Sequence, residues 1–407
     1  MNNNKTQLQE KEFETLRKNY RVLLKWATGC GKSKMTIDLI NNALNTFSAD
    51  TPVKILFVLA EKAHKKNWEA EFKRWQLKKE RTSIDIICYA SLHKKVDSSY
   101  DIIVFDEAHH LFTEKRMAAA ETIHTSYVYA LSATLSSAHI DMLESIFGKF
   151  AISTVTLQDA IDKDILPNPK IFVIGLDLDT VIADQEIVVG KNPTITVDWV
   201  HRFKYKGKNV SYTIKCTEMQ KYIYITNDIE YWKRRYEASR NAIFHNRWVN
   251  CGSQRKRFLG ELKTNYIKQI ISGFSKKTRY VCFCASINQA TTLSKANTIS
   301  SKRTSKHNQA IIDAFNNKSI NSIYAVGMIT EGMNLKDIQV GVIAQLDGKE
   351  RLFIQKFGRS LRADDPVTVI FYYRNTQDEI YLKKALENID EKYVEYRKFN
   401  NKTKIVL

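Results

Sequence analysis

The sequence predicts an α/β fold built on parallel sheets, and three observations carry that expectation. The apolar run Arg21-Val-Leu-Leu-Lys-Trp26 feeds a glycine-bearing loop, Ala27-Thr-Gly-Cys-Gly-Lys-Ser33, which a helical pattern from Met35 to Leu44 follows. Strand-length apolar runs then alternate with helical patterns: Val53-Lys-Ile-Leu-Phe-Val-Leu-Ala60, a basic helix from Glu61 to Trp75, and Ser83-Ile-Asp-Ile-Ile-Cys-Tyr-Ala90. A further apolar run, Ile102-Ile-Val-Phe105, delivers Asp106 and Glu107 at its C-terminal end, the edge at which open α/β sheets bind ligands.

Length and composition bound the problem. A chain of 407 residues has room for two or three domains. Its opening Met-Asn-Asn-Asn-Lys5 has no apolar core, so no signal peptide is expected. The longest apolar runs are far too short for a membrane span, so no membrane partner is expected. Six cysteines are scattered, and Cys282 and Cys284 have the spacing of a strand and not that of zinc ligands. Reduced thiols, no structural zinc and a cytoplasmic location follow as expectations. The net charge is +19, and residues 181–280 hold 20 Lys/Arg against 8 Asp/Glu, so +12 of it lies in one quarter of the chain. A localised excess of that kind points to a polyanion, nucleic acid before membrane headgroups.

Taken in order, residues 1–20 read as a helix leading into the first strand. Gln7 or Gln9 could read an adenine edge, since an amide both donates and accepts, or could simply face solvent. In the loop, Gly29 and Gly31 permit positive φ, so successive N–H groups can turn inward onto phosphate oxygens, aided by the following helix N-terminus. Ala27, Thr28, Gly29, Cys30, Gly31, Lys32, Ser33 and Lys34 are the candidate phosphate-binding residues. Lys32 would reach the β- and γ-phosphates and the Ser33 hydroxyl would hold Mg²⁺. Trp26 stands where such loops usually begin with glycine. At the next edge, Asp106 is placed as a second Mg²⁺ ligand and Glu107 as the residue that orients and activates a water. His109 couples this site to neighbouring segments, and Leu131-Ser-Ala-Thr134 closes a further strand.

Ala27-Thr-Gly-Cys-Gly-Lys-Ser33, Asp106-Glu-Ala-His109 and Ser132-Ala-Thr134, in this order, resemble motifs I, II and III of the superfamily 2 helicases. The C-terminal third continues the series: Tyr280-Val-Cys-Phe-Cys-Ala-Ser286 resembles motif IV, Val326-Gly-Met-Ile-Thr-Glu-Gly-Met-Asn-Leu335 motif V, and Gln355-Lys-Phe-Gly-Arg-Ser-Leu-Arg362 motif VI. The resemblance implies two RecA-like parallel-sheet domains with ATP and Mg²⁺ between them. It makes Arg359 and Arg362 arginine fingers, with Gln355 beside them, unless those arginines are instead held by Asp364 or Asp365. It gives Gly332 a place near the nucleotide. Ser132, Thr134, Thr330, Glu331 and Asn334 would join nucleotide state to strand contacts.

Between these halves lies a basic segment without a motif. Its alternating pattern suggests a β-hairpin turning near Gly207, and a helical stretch from Thr217 to Trp248 carries Trp232, Arg234, Arg235 and Arg247 among other aromatics and cations. The cations can meet phosphates, and most of the aromatics would pack the segment's own core. The expected organisation is therefore residues 1–178 as the first RecA-like domain, 179–254 as a basic accessory insert and 255–407 as the second RecA-like domain ending in charged helices. The layout is similar to small phage-encoded or restriction-associated DNA helicases. It implies an ATP-dependent helicase or translocase, acting on DNA in preference to RNA, in a bacterial or phage-infected cytoplasm alongside replication, repair or restriction proteins. The rivals are a duplex translocase that leaves strands paired, an RNA helicase and an ATP-gated clamp.

Overall fold

A computed structural model describes residues 3–61, 63–180, 197–205, 208–327, 335–346 and 365–399. Two parallel sheets organise them. The first is built from β1 (Arg21–Trp26), β2 (Val53–Leu59), β3 (Thr82–Cys88), β4 (Ser99–Asp106), β5 (His124–Leu131) and β6 (Ala151–Val155), in the order β3-β2-β4-β5-β1-β6. Its central strands β1, β2, β4 and β5 are buried on both faces, which helices cover, while the edge strands β3 and β6 are partly exposed. On one side lie α1 (Asn3–Leu16), α2 (Lys32–Ala43) and α3 (Ala63–Arg74), contributing Leu39, Ile40, Trp68 and Phe72. On the other lie α4 (Glu114–Glu121) and α5 (Ser137–Phe147), contributing Ala119, Leu143 and Phe147. Phe57 of β2 meets Trp68 and Phe72 of α3 with ring centroids 4.9 and 5.0 Å apart. Aromatic pairs of this kind add about 0.5–1.5 kcal/mol each beyond area burial, and here they fix the helix that carries His64.

After α6 (Leu157–Asp162) the chain leaves the first sheet. β7 (Lys170–Leu176), inside the 1–178 segment assigned to the first domain, pairs with β14 (Val367–Tyr373) of the second sheet, in register from Lys170 opposite Val367 to Leu176 opposite Tyr373. An apolar run buried on both faces can join either sheet, and only its partners distinguish the two. The boundary at 178 therefore moves back to the connection ahead of Lys170. The second sheet has the order β11-β12-β10-β13-β14-β7-β15, with β10 (Tyr280–Phe283), β11 (Thr298–Ile299), β12 (Ser322–Ala325), β13 (Val340–Ile343) and β15 (Val394–Lys398). α9 (Thr264–Ser272), α10 (Ile287–Leu293), α11 (Ser305–Asn316) and α12 (Gln377–Leu386) flank it. Residues 377–398, where one or two charged helices are expected, hold one helix followed by the edge strand β15, which lies parallel to β7.

The basic segment opens with the antiparallel pair β8 (Val197–Tyr205) and β9 (Lys208–Cys216), whose last register pair, Tyr205 opposite Lys208, places the connection at residues 206–207. The expected single helical stretch is two helices, α7 (Glu218–Ser239) and α8 (Ala242–Leu262). Thr217 and Gln220 form a capping box at the start of α7. Arg240 at φ 53° ends it, and the Asn241 side chain, accepting from Ile243 N–H, starts α8. Because α8 runs unbroken to Leu262, the boundary at 254 falls inside a helix and is corrected accordingly. Ile225, Ile229, Phe258 and Leu259 sink the root of this helical hairpin into the core of the second sheet, beside Phe172 and Ile174 of β7. No described helix is long and apolar enough to cross a membrane.

Candidate nucleotide site and basic hairpin

The loop between β1 and α2 adopts the conformation its glycines allow: Gly29 and Gly31 have φ of 97° and 96°. A Cβ on Gly31 would lie 2.0 Å from Gln9 Nε2, so a side chain there would displace that amide as well as strain the positive φ. The reason is α1, which lies across the loop. Gln9 donates to the Cys30 carbonyl (3.0 Å) and Lys5 Nζ to the Gly29 carbonyl (2.6 Å), while Gln7 is exposed. Gln9 thus braces the loop through its buried amide. Lys32 Nζ donates to the Trp26 carbonyl at 2.8 Å, which holds its ammonium over the loop. Thr28 and Ser33 are partly exposed at the loop's mouth. The Lys34 ammonium is paired with Asp38 one turn on (2.6 Å). Cys30 faces the core; burial drives its thiol up to about 11 against the pull of Lys32 and Lys5.

Trp26, the departure at the head of the loop, is fully buried. Its indole N–H donates to Ser153 Oγ (2.8 Å), which donates in turn to Glu12 (2.6 Å). The residue therefore ties β1 to β6 and α1 while its carbonyl seats Lys32. Its side chain turns away from the loop and into the core.

The two carboxylates emerge at the end of β4. Asp106 Oδ2 accepts from Trp68 Nε1 (2.9 Å) and lies 3.7 Å from His64 Nδ1. Burial opposes its charge, but His64, Trp68 and Lys32 together hold its carboxyl below the usual carboxylate range. Burial likewise opposes charge on His64, and Asp106, Glu107 and Glu61 outweigh it, raising that imidazole. Glu107 sits at φ 51°, ψ 56°, the left-handed region, which is costly for a side-chain-bearing residue and recurs at functional positions. Its Oε2 is 3.4 Å from His109 Nδ1, and that nitrogen is 3.2 Å from Ser132 Oγ. Ser132 Oγ also accepts from Thr134 N–H at 3.2 Å. A continuous polar path thus joins the Glu107 carboxylate to the end of β5. A cavity of about 980 Å³ opens beside this path, lined by His109 and Thr134 and, from beyond α12, by Asn388 and Asp390; of the loop only Ala27 reaches it.

Two family descriptions match the chain: the res subunit of type III restriction enzymes over residues 2–137, and the helicase conserved C-terminal domain over residues 262–364. The chain belongs to the superfamily 2 helicases. It is accordingly an enzyme of the helicase-type ATPase fold, a class that uses a nucleotide with a divalent metal. Solved superfamily 2 structures share its fold. Dbp5 of S. cerevisiae bound to RNA and ADP BeF3 matches at a TM-score of 0.56 and 11% identity, over 94% of this chain and 86% of that one. The helicase domain of Pyrococcus furiosus Hef matches at 0.51 and 13%, over 92% and 96%. Mss116p bound to ssRNA and AMP-PNP matches at 0.57 and 14%, over 94% and 71%. No curated protein sequence matches this one.

Within that superfamily pattern, the described residues bring together motifs I, II and III. Thr330, Glu331, Gly332 and Asn334 of motif V, and Gln355, Arg359 and Arg362 of motif VI, lie outside the described residues. Of the hairpin residues, Trp232 packs on Phe244 (centroids 5.7 Å apart) beneath the Arg247 guanidinium (4.7 Å). Arg234 is 3.6 Å from Glu230, and Arg235 lies over Phe244 at 4.8 Å. Lys5, His64 and Trp68 were missed in the sequence. His64 and Trp68 are four apart on one helix face, and that spacing was the available signal.

Proposed function

We propose that the protein is an ATP-dependent motor on nucleic acid, a helicase or translocase, with DNA as its preferred track. The observation that carries the reading is a loop whose glycines hold positive φ and whose Lys32 ammonium is seated on the Trp26 carbonyl, together with Glu107 held in a left-handed backbone beside His109 at the end of β4. The residues suit a magnesium nucleotide. The positive-φ glycines turn backbone donors inward, Lys32 meets the phosphate charge, and Ser33 and Asp106 would hold the cation. Mg²⁺ would neutralise charge on the phosphates. Glu107 then orients and deprotonates the water, and the His109–Ser132–Thr134 path carries the state of that carboxylate toward β5. Arg359 and Arg362, with Gln355, are assigned the arginine-finger role, which elsewhere is worth about 10³–10⁵ in rate. Thr330, Glu331, Gly332 and Asn334 are assigned the coupling of nucleotide to track.

DNA is favoured because the N-terminal match is to a restriction-enzyme subunit, and the localised cation excess supplies the attraction to a polyanion. ATP hydrolysis by the whole chain, with single-stranded DNA, duplex DNA or RNA across a salt series, tests this. Stimulation by DNA that fades as salt rises is the expected result. Glu107→Gln should lower hydrolysis at least a hundredfold, in line with the about 10²–10⁴ that a positioned base supplies, while nucleic-acid binding persists. Hydrolysis indifferent to every polymer would refute the motor reading. Unimpaired function of the Glu107→Gln protein in a strand-separation or displacement assay would favour an ATP-gated clamp.

A further inference from the structure

The tip of the helical hairpin has a charge pattern that the motor site does not use. Residues 231–257 contain eight Lys/Arg and one acid, Glu237. Arg255, toward the root, donates to Thr226 and Gln377, and the five cations from Lys233 to Arg247 fall into two groups by their partners. Lys233 and Arg234 are paired along their own helix, 3.8 Å from Glu237 and 3.6 Å from Glu230. Arg235, Arg240 and Arg247 have no acidic partner among the described residues, and each lies over a ring: Arg235 over Phe244 (4.8 Å) and Tyr231 (5.7 Å), Arg240 over Tyr236 (5.6 Å), Arg247 over Trp232 (4.7 Å).

The rings are themselves engaged. Trp232 packs on Phe244, and Tyr236 stacks on Trp248 across the two helices with centroids 6.0 Å apart. A guanidinium resting on a ring commits its face, while its N–H donors point outward in its own plane, the geometry that meets phosphate oxygens. The rotamer freedom that phosphate binding would otherwise remove is already reduced. At 1.5 Å per helical residue, Arg235 lies about 8 Å and Arg247 about 10 Å from the turn at Arg240, lengths over which one strand of a duplex carries two or three phosphates. We propose that the hairpin tip is a clamp for the phosphodiester backbone: Arg235, Arg240 and Arg247 contact phosphates, and Trp232, Phe244 and Tyr236 are their pedestals and do not stack on bases. The inference rests on the motor reading for its ligand class and adds to it the mode of grip.

The test is binding by the full chain to an oligodeoxynucleotide, an oligoribonucleotide and an abasic oligodeoxynucleotide of equal length, across a salt series. Each is measured for the wild type and for the triple variant Arg235→Gln, Arg240→Gln, Arg247→Gln, with thermal unfolding as the check of folding. Three lost phosphate contacts should flatten the slope of log K against log salt by about 2 to 3 and weaken binding about a hundredfold at 0.1 M salt. The same factor should appear on the abasic strand, and whichever of the DNA and RNA arms binds the wild type identifies the backbone. The double variant Lys233→Gln, Arg234→Gln should change affinity less than threefold. Trp232→Leu should weaken all strands equally by releasing Arg247. A loss confined to base-bearing strands, with none on the abasic one, would overturn the clamp in favour of a stacking platform. An unchanged slope in the triple variant, with hydrolysis by the wild type still stimulated by a polymer, would overturn the clamp alone. A wild type that neither binds nor responds to any polymer would overturn the motor reading with it.

Discussion

Lys263 and Asp378 form an ion pair at 2.6 Å in which both side chains are fully buried. Lys263 stands between α8 and α9, and its ammonium also donates to the Ala344 carbonyl (2.9 Å) and to Gln345 Oε1 (3.2 Å) at the end of β13. Asp378, in the first turn of α12, accepts in addition from Gln345 Nε2 (2.7 Å) and from Tyr373 N–H (3.3 Å). The cluster therefore joins the root of the basic hairpin to two strands of the second sheet. Burial depresses the Lys263 pKa and Asp378 opposes it, with the net direction downward, as desolvation of an ammonium requires. Replacing Lys263 with Met keeps the length and removes the charge, which leaves the Asp378 carboxylate buried without its counterion. Breaking a buried pair in this way costs about 3–5 kcal/mol. For a domain of this size each kcal/mol corresponds to about 2–4 °C, so calorimetry should show a midpoint about 6–20 °C lower. Lys263→Met with Asp378→Leu removes both charges and should recover most of that loss, because two apolar residues in such a site are often nearly neutral relative to the pair. A single variant that melts within 3 °C of the wild type, or a double variant no more stable than the single, would refute the reasoning.

Trp26→Gly, which restores the usual residue at the head of the loop, should destabilise the protein by about 3–5 kcal/mol through the cavity it leaves, and should not tighten nucleotide binding; denaturant titration and nucleotide titration read the two effects. Asp85 is held below its ordinary value of 3.8 by hydrogen bonds from Lys95 (2.6 Å) and Tyr100 (2.5 Å). A depressed folded-state pKa gives stability that is complete above the ordinary value and is lost as pH falls through the lowered one. Thermal midpoints of the wild type and of Asp85→Asn, followed from pH 6 to pH 2, should therefore converge at the acid end. Curves that stay parallel throughout would remove Asp85 from the acid limb.

The site divides by the range of the interactions that build it. The strand–loop–helix around Gly29 and Gly31, and the strand that delivers Asp106 and Glu107, were legible because backbone conformation and hydrophobic period are local properties, written within a dozen residues. Motifs I, II and III were legible for the same reason, each lying at the C-terminal end of one strand. The antiparallel pairing of β8 with β9 and the packing of the basic segment's aromatics on one another also followed from local pattern.

What only the tertiary structure decided were partners chosen across long stretches of chain. An apolar run such as Lys170–Leu176 satisfies either sheet, and its pairing with Val367–Tyr373 depends on a strand nearly two hundred residues away. Gln9 braces the loop because α1 lies across it, which places the Gln9 amide on the Cys30 carbonyl and against Gly31. His64 and Trp68 entered the site because aromatic packing on β2 turns their helix face toward Asp106. Trp26 looked like a defect in a phosphate loop and is a core residue, since a side chain at the end of a strand can face the interior while its carbonyl faces the site. Sequence periodicity says which face of an element is apolar; which neighbour covers that face is settled by the packing of the whole chain.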